Sequence, residues 1–185
     1  MFIKKKMNRA EKALRGYGCL ILTGGSSGIG KALLESALSL EMPLIIANLS
    51  RSEPDLKKAS DNFKHIRTDL SESEALRSSY QTLDRWIEEK APKGPVLLIN
   101  NSGFGCYGPF PEPSLDQNLS MIDVNVKAVV HLTGLLLPRI KASRGGVVNI
   151  ASTAAFQPLG YMSAYAATKS FLLSWGMALN QELKS

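Results

Sequence analysis

The sequence predicts an α/β protein, a doubly wound parallel sheet in three layers (α/β/α) with helices on both faces. Three observations carry this. Short apolar runs alternate with amphipathic segments along the chain, the pattern of repeated strand–helix–strand units. The run Leu44-Ile45-Ile46-Ala47 is continuous rather than alternating, as strands buried on both faces are. Another run leads through Thr23-Gly24-Gly25-Ser26-Ser27-Gly28-Ile29-Gly30 into an amphipathic segment, which reads as strand, glycine turn and helix.

Residues 1–17 read as a basic leader ahead of one domain over 18–185. In it Lys4, Lys5, Lys6, Arg9, Lys12 and Arg15 face only Glu11. Such a cluster fits a membrane surface, a nucleic acid or a solvated tail. Its terminal position favours the tail, so neither nucleic acid nor membrane is expected as a partner. A short helix is expected over Arg9–Leu14. Strand one is Cys19–Thr23, followed by a helix over Gly28–Glu41. Pro43–Asn48 is strand two, ending polar. A helix is expected over Pro54–Phe63 and strand three over Lys64–Thr68. Ser71-Glu72-Ser73-Glu74 has the form of a capping box, so a helix is expected from there to Lys90. Val96–Asn100 is strand four, and Asn101–Pro113 is a loop rich in glycine and proline. Ser114-Leu115-Asp116-Gln117 is a second capping box, opening a long helix to Lys141. Val147–Ala151 is strand five, Ser152–Gly160 a loop, and the last helix runs from Tyr161 towards Ser185.

At 185 residues, 44% of them hydrophobic and 21% charged, the chain has the size and composition of one globular domain with a proper core. No apolar stretch after the leader reads as a signal peptide or a transmembrane helix. Cys19 and Cys106 show no metal-ligand spacing. They read as free thiols of a reducing compartment, hence a cytoplasmic location. His65 and His131 fit no catalytic or metal pattern, and no metal site is expected.

The glycine turn carries the first functional reading. Backbone N–H groups at a helix start lack intrahelical partners, and the helix dipole adds partial positive charge there. A pyrophosphate fits that place, and glycine lets backbone approach it closely. The pattern is TGxxxGxG, with Gly24, Gly28 and Gly30 at the fixed positions and Ser26, Ser27 and Ile29 between them.

Further motifs follow in order: NNSG at Asn100–Gly103, Asn125, Ser152 twenty-seven residues later, and YAATK at Tyr165–Lys169, thirteen beyond Ser152. Together with the glycine turn they resemble the classical short-chain dehydrogenase/reductase (SDR) family over nearly the whole chain. NNSGFGCYGPF and AAFQPLGYMSAYAATKSF resemble a bacterial subgroup of NAD(P)-dependent oxidoreductases. Ser102 stands where the family usually has alanine. The resemblance implies a Rossmann-like NAD(P)-binding domain with strand order 3-2-1-4-5, and hydride transfer between a nicotinamide cofactor and a small carbonyl or alcohol substrate.

Tyr165 and Lys169 are four apart on an expected helix and share a face. A phenol is a poor acid–base group at neutral pH, and a nearby ammonium favours its phenolate. Tyr165 is therefore the expected general acid/base, and Ser152 the group that orients the carbonyl oxygen. The resemblance implies that Lys169 also holds the nicotinamide ribose and that Asn125 positions a water in the proton relay.

An acidic residue at the end of strand two would favour NAD(H). Asn48 takes that place by spacing, and Arg51 with Ser50 follows, suited to a 2′-phosphate. NADP(H) is thus favoured, with NAD(H) open. Asp69 with Leu70 resembles the family's adenine-contacting pair, and Asn101, Ser102 and Gly103 are expected to line the cofactor. Family members continue past the point matching Ser185 with a strand, a substrate-covering helical segment and a last strand. The expectation is a C-terminally truncated chain whose strand five is an exposed apolar edge. Two functions stay open: an active reductase, or a catalytically impaired nucleotide-binding or association module. Self-association is expected through the helices starting near Ser114 and Tyr161, as in the family.

Overall fold

The computed structural model describes residues 9–56 and 61–184. Five strands, β1 (Cys19–Thr23), β2 (Ile45–Ser50), β3 (Phe63–Arg67), β4 (Val96–Asn100) and β5 (Gly146–Asn149), form one sheet in the order β3-β2-β1-β4-β5. All four pairings are parallel. The helices are α1 (Arg9–Leu14), α2 (Gly28–Leu38), α3 (Ser73–Lys90), α4 (Leu115–Ile122), α5 (Ala128–Ala142) and α6 (Ser163–Glu182).

The period-two alternation of strand side chains sorts the core into two layers. Cys19, Ile21, Ala47, Leu49 and Leu98 meet Leu76, Leu83 and Ile87 of α3 and Leu132, Leu136 and Ile140 of α5. Leu20, Leu22, Ile46, Leu97 and Ile99 meet Leu34 and Ala37 of α2 on the opposite face. Leu14 of α1 joins this second layer with Tyr17 against it, so the chain is anchored to the domain before β1. Burial pushes the Cys19 thiol up to about 12, against the weaker pull of Arg139, which keeps it an inert core residue.

Several expected elements differ. Strand β2 runs two residues further, to Ser50, because Leu49 pairs with Thr23 and Ser50 with Arg67. The expected helix over Pro54–Phe63 falls partly outside the described residues. Of the rest, 54–56 are not helical, Asp61 and Asn62 form a turn, and Phe63 already belongs to β3. The first capping box does not form. The helix starts one residue later than expected: Glu72, not Ser71, is the N-cap of α3 and makes no side-chain cap bond, while the Ser71 hydroxyl donates to Asp69 Oδ1 at 2.7 Å. The second cap does form, with Ser114 Oγ accepting from the Gln117 N–H at 3.1 Å.

The long helix is not uniform. Between α4 and α5, Asp123–Lys127 is a π-helical turn, a feature that frequently marks functional sites. Contrary to expectation, the 28-residue helix Leu115–Ala142 has the length and apolarity of a membrane span. Part of that apolarity packs on the sheet through Ala128, Leu132, Leu136 and Ile140. Strand β5 is an edge whose positions are only partly covered, with Val148 exposed.

Candidate functional site

A cavity of about 630 Å³ opens at the carboxyl ends of the strands, within the usual size range of ligand sites. This is where ligands bind in doubly wound sheets. Its floor begins at the glycine turn. Gly24 has φ +74°, and a Cβ there would press on the Ser102 hydroxyl. At Gly30 a Cβ would collide with the Gly24 carbonyl and the Asn101 amide. Gly28, by contrast, has φ +53° and nothing within 4 Å of its would-be Cβ. That open space lies at the start of α2, whose N-cap Ser27 makes no side-chain cap bond. The first-turn N–H groups therefore suit an anion, and the turn fits a pyrophosphate.

Two asparagines fix the turn. Asn101 donates from Nδ2 to the Thr23 carbonyl at 3.0 Å, while Thr23 Oγ1 accepts the N–H groups of Asn101 and Ser102, each at 3.0 Å. Asn48 accepts the Gly25 N–H at 2.7 Å. Asn48 does not reach the cavity. Because β2 extends to Ser50, Asn48 lies within the strand, fully buried. The residues at the strand end facing the cavity are Ser50, Arg51 and Ser52.

Ser26, Ser27, Ile29, Asp69, Leu70, Asn101, Ser102 and Gly103 all line the cavity with the glycines. The Ser71 hydroxyl, then the Ser71 N–H, hold Asp69 below the usual carboxylate range; burial opposes them, and Arg51 adds a smaller pull in their favour.

Tyr165 and Lys169 close the other end. Lys169 Nζ donates to the Ile150 carbonyl at 2.9 Å and stands 5.8 Å from the Tyr165 ring centroid. Burial holds Lys169 below the ordinary ammonium range. The Gly105 backbone lies against the Tyr165 ring, where a Cβ would stand 3.0 Å from Cδ2.

Ser152 and Asn125 do not line the cavity. Ser152 caps a 3-10 turn, Thr153–Phe156, accepting the Ala154 N–H at 3.1 Å. This leaves its hydroxyl hydrogen for another acceptor. Ser170 of α6 donates to the Ala155 carbonyl at 2.9 Å, tying this turn to the helix of Tyr165. Asn125 sits in the π turn, fully buried. It donates to the Phe104 carbonyl (2.9 Å) and Thr168 Oγ1 (3.1 Å), and accepts the Phe104 N–H (3.1 Å). Both its hydrogens are spent on holding the loop to α6. Its Oδ1 and Lys169 Nζ flank the spot where a Cβ on Gly103 would stand, at 2.9 and 3.3 Å.

Sequence reasoning missed Thr68, Phe104, Val124 and Ile150 in the wall. The Ile150 contact is through a backbone carbonyl, which no residue type signals. Val124 could have been found from its place one residue before Asn125.

The short chain dehydrogenase family profile matches residues 19–185. The very-long-chain 3-oxoacyl-CoA reductase of Rattus norvegicus is 30% identical over 171 residues, covering 89% of this chain and 54% of that protein. The uncharacterized oxidoreductase DltE of Bacillus subtilis is 33% identical over 168 residues, covering 89% and 65%. The chain thus spans about half to two thirds of the length of these curated relatives. Among solved structures, a short-chain dehydrogenase/reductase from Burkholderia vietnamiensis superposes with TM-score 0.79 at 25% identity, covering 89% of this chain and 79% of that one. A 4-hydroxyisoleucine dehydrogenase complexed with NADH gives TM-score 0.75 at 28% identity, covering 90% and 69%.

Proposed function

The chain belongs to the short chain dehydrogenase family, and from that membership we propose an oxidoreductase in which Tyr165 is the acid–base group for a carbonyl or alcohol substrate. One observation carries this reading: Tyr165 and Lys169 stand in the wall of the same cavity that the glycine turn opens into. The nicotinamide cofactor, when bound, supplies or accepts the hydride at the substrate carbon. Tyr165 then donates a proton to the carbonyl oxygen, or removes it in the reverse direction. The Lys169 ammonium, beside the ring and held by the Ile150 carbonyl, favours the phenolate that remains. The Ser152 hydroxyl, outside the cavity wall at the 3-10 turn, is the proposed second donor to that oxygen, for a substrate that reaches from Tyr165 to this turn. Asn125 acts through its hold on Phe104, keeping the loop wall beside Lys169.

The proposed cofactor is NADP(H). Arg51 is exposed at the cavity rim where β2 ends, and no carboxylate occupies that strand end to repel a 2′-phosphate. The Ser50 hydroxyl donates to the Ser52 carbonyl at 2.8 Å, so Arg51, rather than Ser50, supplies the phosphate contact.

Tyr165→Phe tests the reading, since it keeps the ring and removes the proton. Turnover of a generic carbonyl substrate is expected to fall by about 100-fold or more while cofactor affinity stays at the wild-type value. Retained turnover places the proton donor elsewhere.

A self-association surface is proposed on α4 and α6. Leu115, Leu119 and Ile122 are exposed at helical spacing on α4, and Phe171 and Met177 are exposed on α6. Apolar area is worth about 25 cal/mol per Å² when buried, which favours pairing with a second copy. Leu119→Lys is expected to shift the chain towards monomer in sedimentation. An unchanged mass distribution refutes this surface.

A further inference from the structure

We infer that Asn48 is a positioning residue: a buried clamp that locks the phosphate turn to the adjoining strand-end corner of the cofactor cavity. Every hydrogen of its amide is spent. Asn48 Oδ1 accepts the Gly25 N–H at 2.7 Å. Its Nδ2 donates to Ser50 Oγ at 2.9 Å and lies 3.2 Å from His65 Nδ1. An amide nitrogen only donates, so His65 Nδ1 is the acceptor and its ring hydrogen sits on Nε2. Ser50 passes the direction on, donating its single hydrogen to the Ser52 carbonyl at 2.8 Å.

The chain of bonds therefore runs from Gly25 in the turn to Ser52 in the corner. Its neighbours at the two ends, Ser26 and Arg51, line the cavity. No other side chain of this size offers one acceptor to the turn and two donors to strand and corner. Aspartate lacks the donors, and leucine lacks both. The clamp explains why an amide is fully buried in β2, where polar burial is tolerated only when paired. Its bearing on binding rests on the proposed dinucleotide reading; its geometry does not.

Amide hydrogen exchange on the ligand-free chain separates the two. Asn48→Leu keeps the size and removes the bonds. Exchange at both Gly24–Gly28 and Ser50–Ser52 is expected to speed up about tenfold, the scale of one buried hydrogen bond. Exchange in β4, Val96–Asn100, is expected to stay unchanged. Acceleration at one segment alone, or across the whole sheet, overturns the clamp. Ser50→Ala, which cuts the chain of bonds at its far end, is expected to speed exchange at the Gly24–Gly28 turn as well. If Asn48→Leu does not fold, this second variant decides, and unchanged exchange at the turn overturns the clamp. In calorimetry, Asn48→Leu is expected to weaken NADPH about tenfold, and wild-type affinity in that variant overturns the role in binding. If the unaltered chain binds neither NADPH nor NADH, the cofactor reading fails while the exchange result still judges the clamp.

Discussion

At the glycine-turn end of the cavity, Asn101 reaches the Thr23 carbonyl at 3.0 Å and Asn48 takes the Gly25 N–H at 2.7 Å, each drawing a different strand onto the turn. At the Tyr165 end Asn125 pins the loop at Phe104, and beyond that residue the loop is held more sparingly. Gly105 lies flat on the Tyr165 ring, Gly108 donates to the Tyr161 carbonyl at 2.9 Å, and Tyr107 stacks on Tyr161 with centroids 5.9 Å apart. Tyr107 is 73% exposed and Tyr161 60% exposed. Tyr161 also holds φ +61°, a conformation that costs a non-glycine residue about 1–3 kcal/mol and persists only where surroundings impose it. Directional bonds thus preorganise the first end, whereas at the second they stop at Phe104, and beyond it aromatic packing and one backbone bond shape the segment over Tyr165. Changes at the first end should read out in nucleotide binding, and changes at the second in turnover.

The largest test of this contrast compares two glycines in one turn. Gly30→Val drives a side chain into the Gly24 carbonyl and the Asn101 amide, so a loss on the order of 3 kcal/mol of stability is expected in denaturant unfolding. At Gly28 an added Cβ has no atom within 4 Å, so Gly28→Val starts from open space. It should fold, at a cost of about 1–3 kcal/mol for its positive φ, yet fill the space a pyrophosphate needs. Calorimetry that finds normal nucleotide affinity in folded Gly28→Val removes the turn from the cofactor site.

A smaller effect sharpens the first end alone. Arg51→Ala is expected to weaken NADPH by about 1.5–3 kcal/mol, the value of a hydrogen bond to a charged group, and to leave NADH untouched. Equal weakening of both cofactors, titrated by fluorescence, breaks the assignment of Arg51 to the 2′-phosphate.

The smallest effect addresses the second end. Gly105→Ala puts a Cβ 3.0 Å from Tyr165 Cδ2, so the ring must yield by a few tenths of an ångström. Misplacement of a reacting group by 1 Å costs about 100-fold, and a fall in kcat of about tenfold is expected with cofactor affinity unchanged. If cofactor affinity falls instead, the two ends are not separable.

Local signals made much of this legible. The bounds of β1 and β4 follow from apolar runs closed by turn residues, and the Ser114 cap follows from a hydroxyl three residues before an N–H it can reach. Strand order and the grouping of Tyr165, Lys169 and the glycine turn came from the family resemblance that the motifs carry, and they agree with a parallel sheet whose carboxyl ends share one edge.

What only the tertiary structure decided involves choices between partners of similar energy. Ser71 reads as an N-cap, but α3 starts one residue later with Glu72 as its N-cap, and the Ser71 hydroxyl and N–H both donate to the Asp69 carboxylate. Asn48 looks like a strand-end residue by spacing, but pairing with β1 and β3 carries β2 on to Ser50 and leaves its amide inside. The π turn at Asn125 places a buried amide opposite Phe104 and Thr168, which lie 21 and 43 residues away in sequence. A strand's length and an amide's partners are set by neighbours distant in sequence, and no local pattern of residues contains that information.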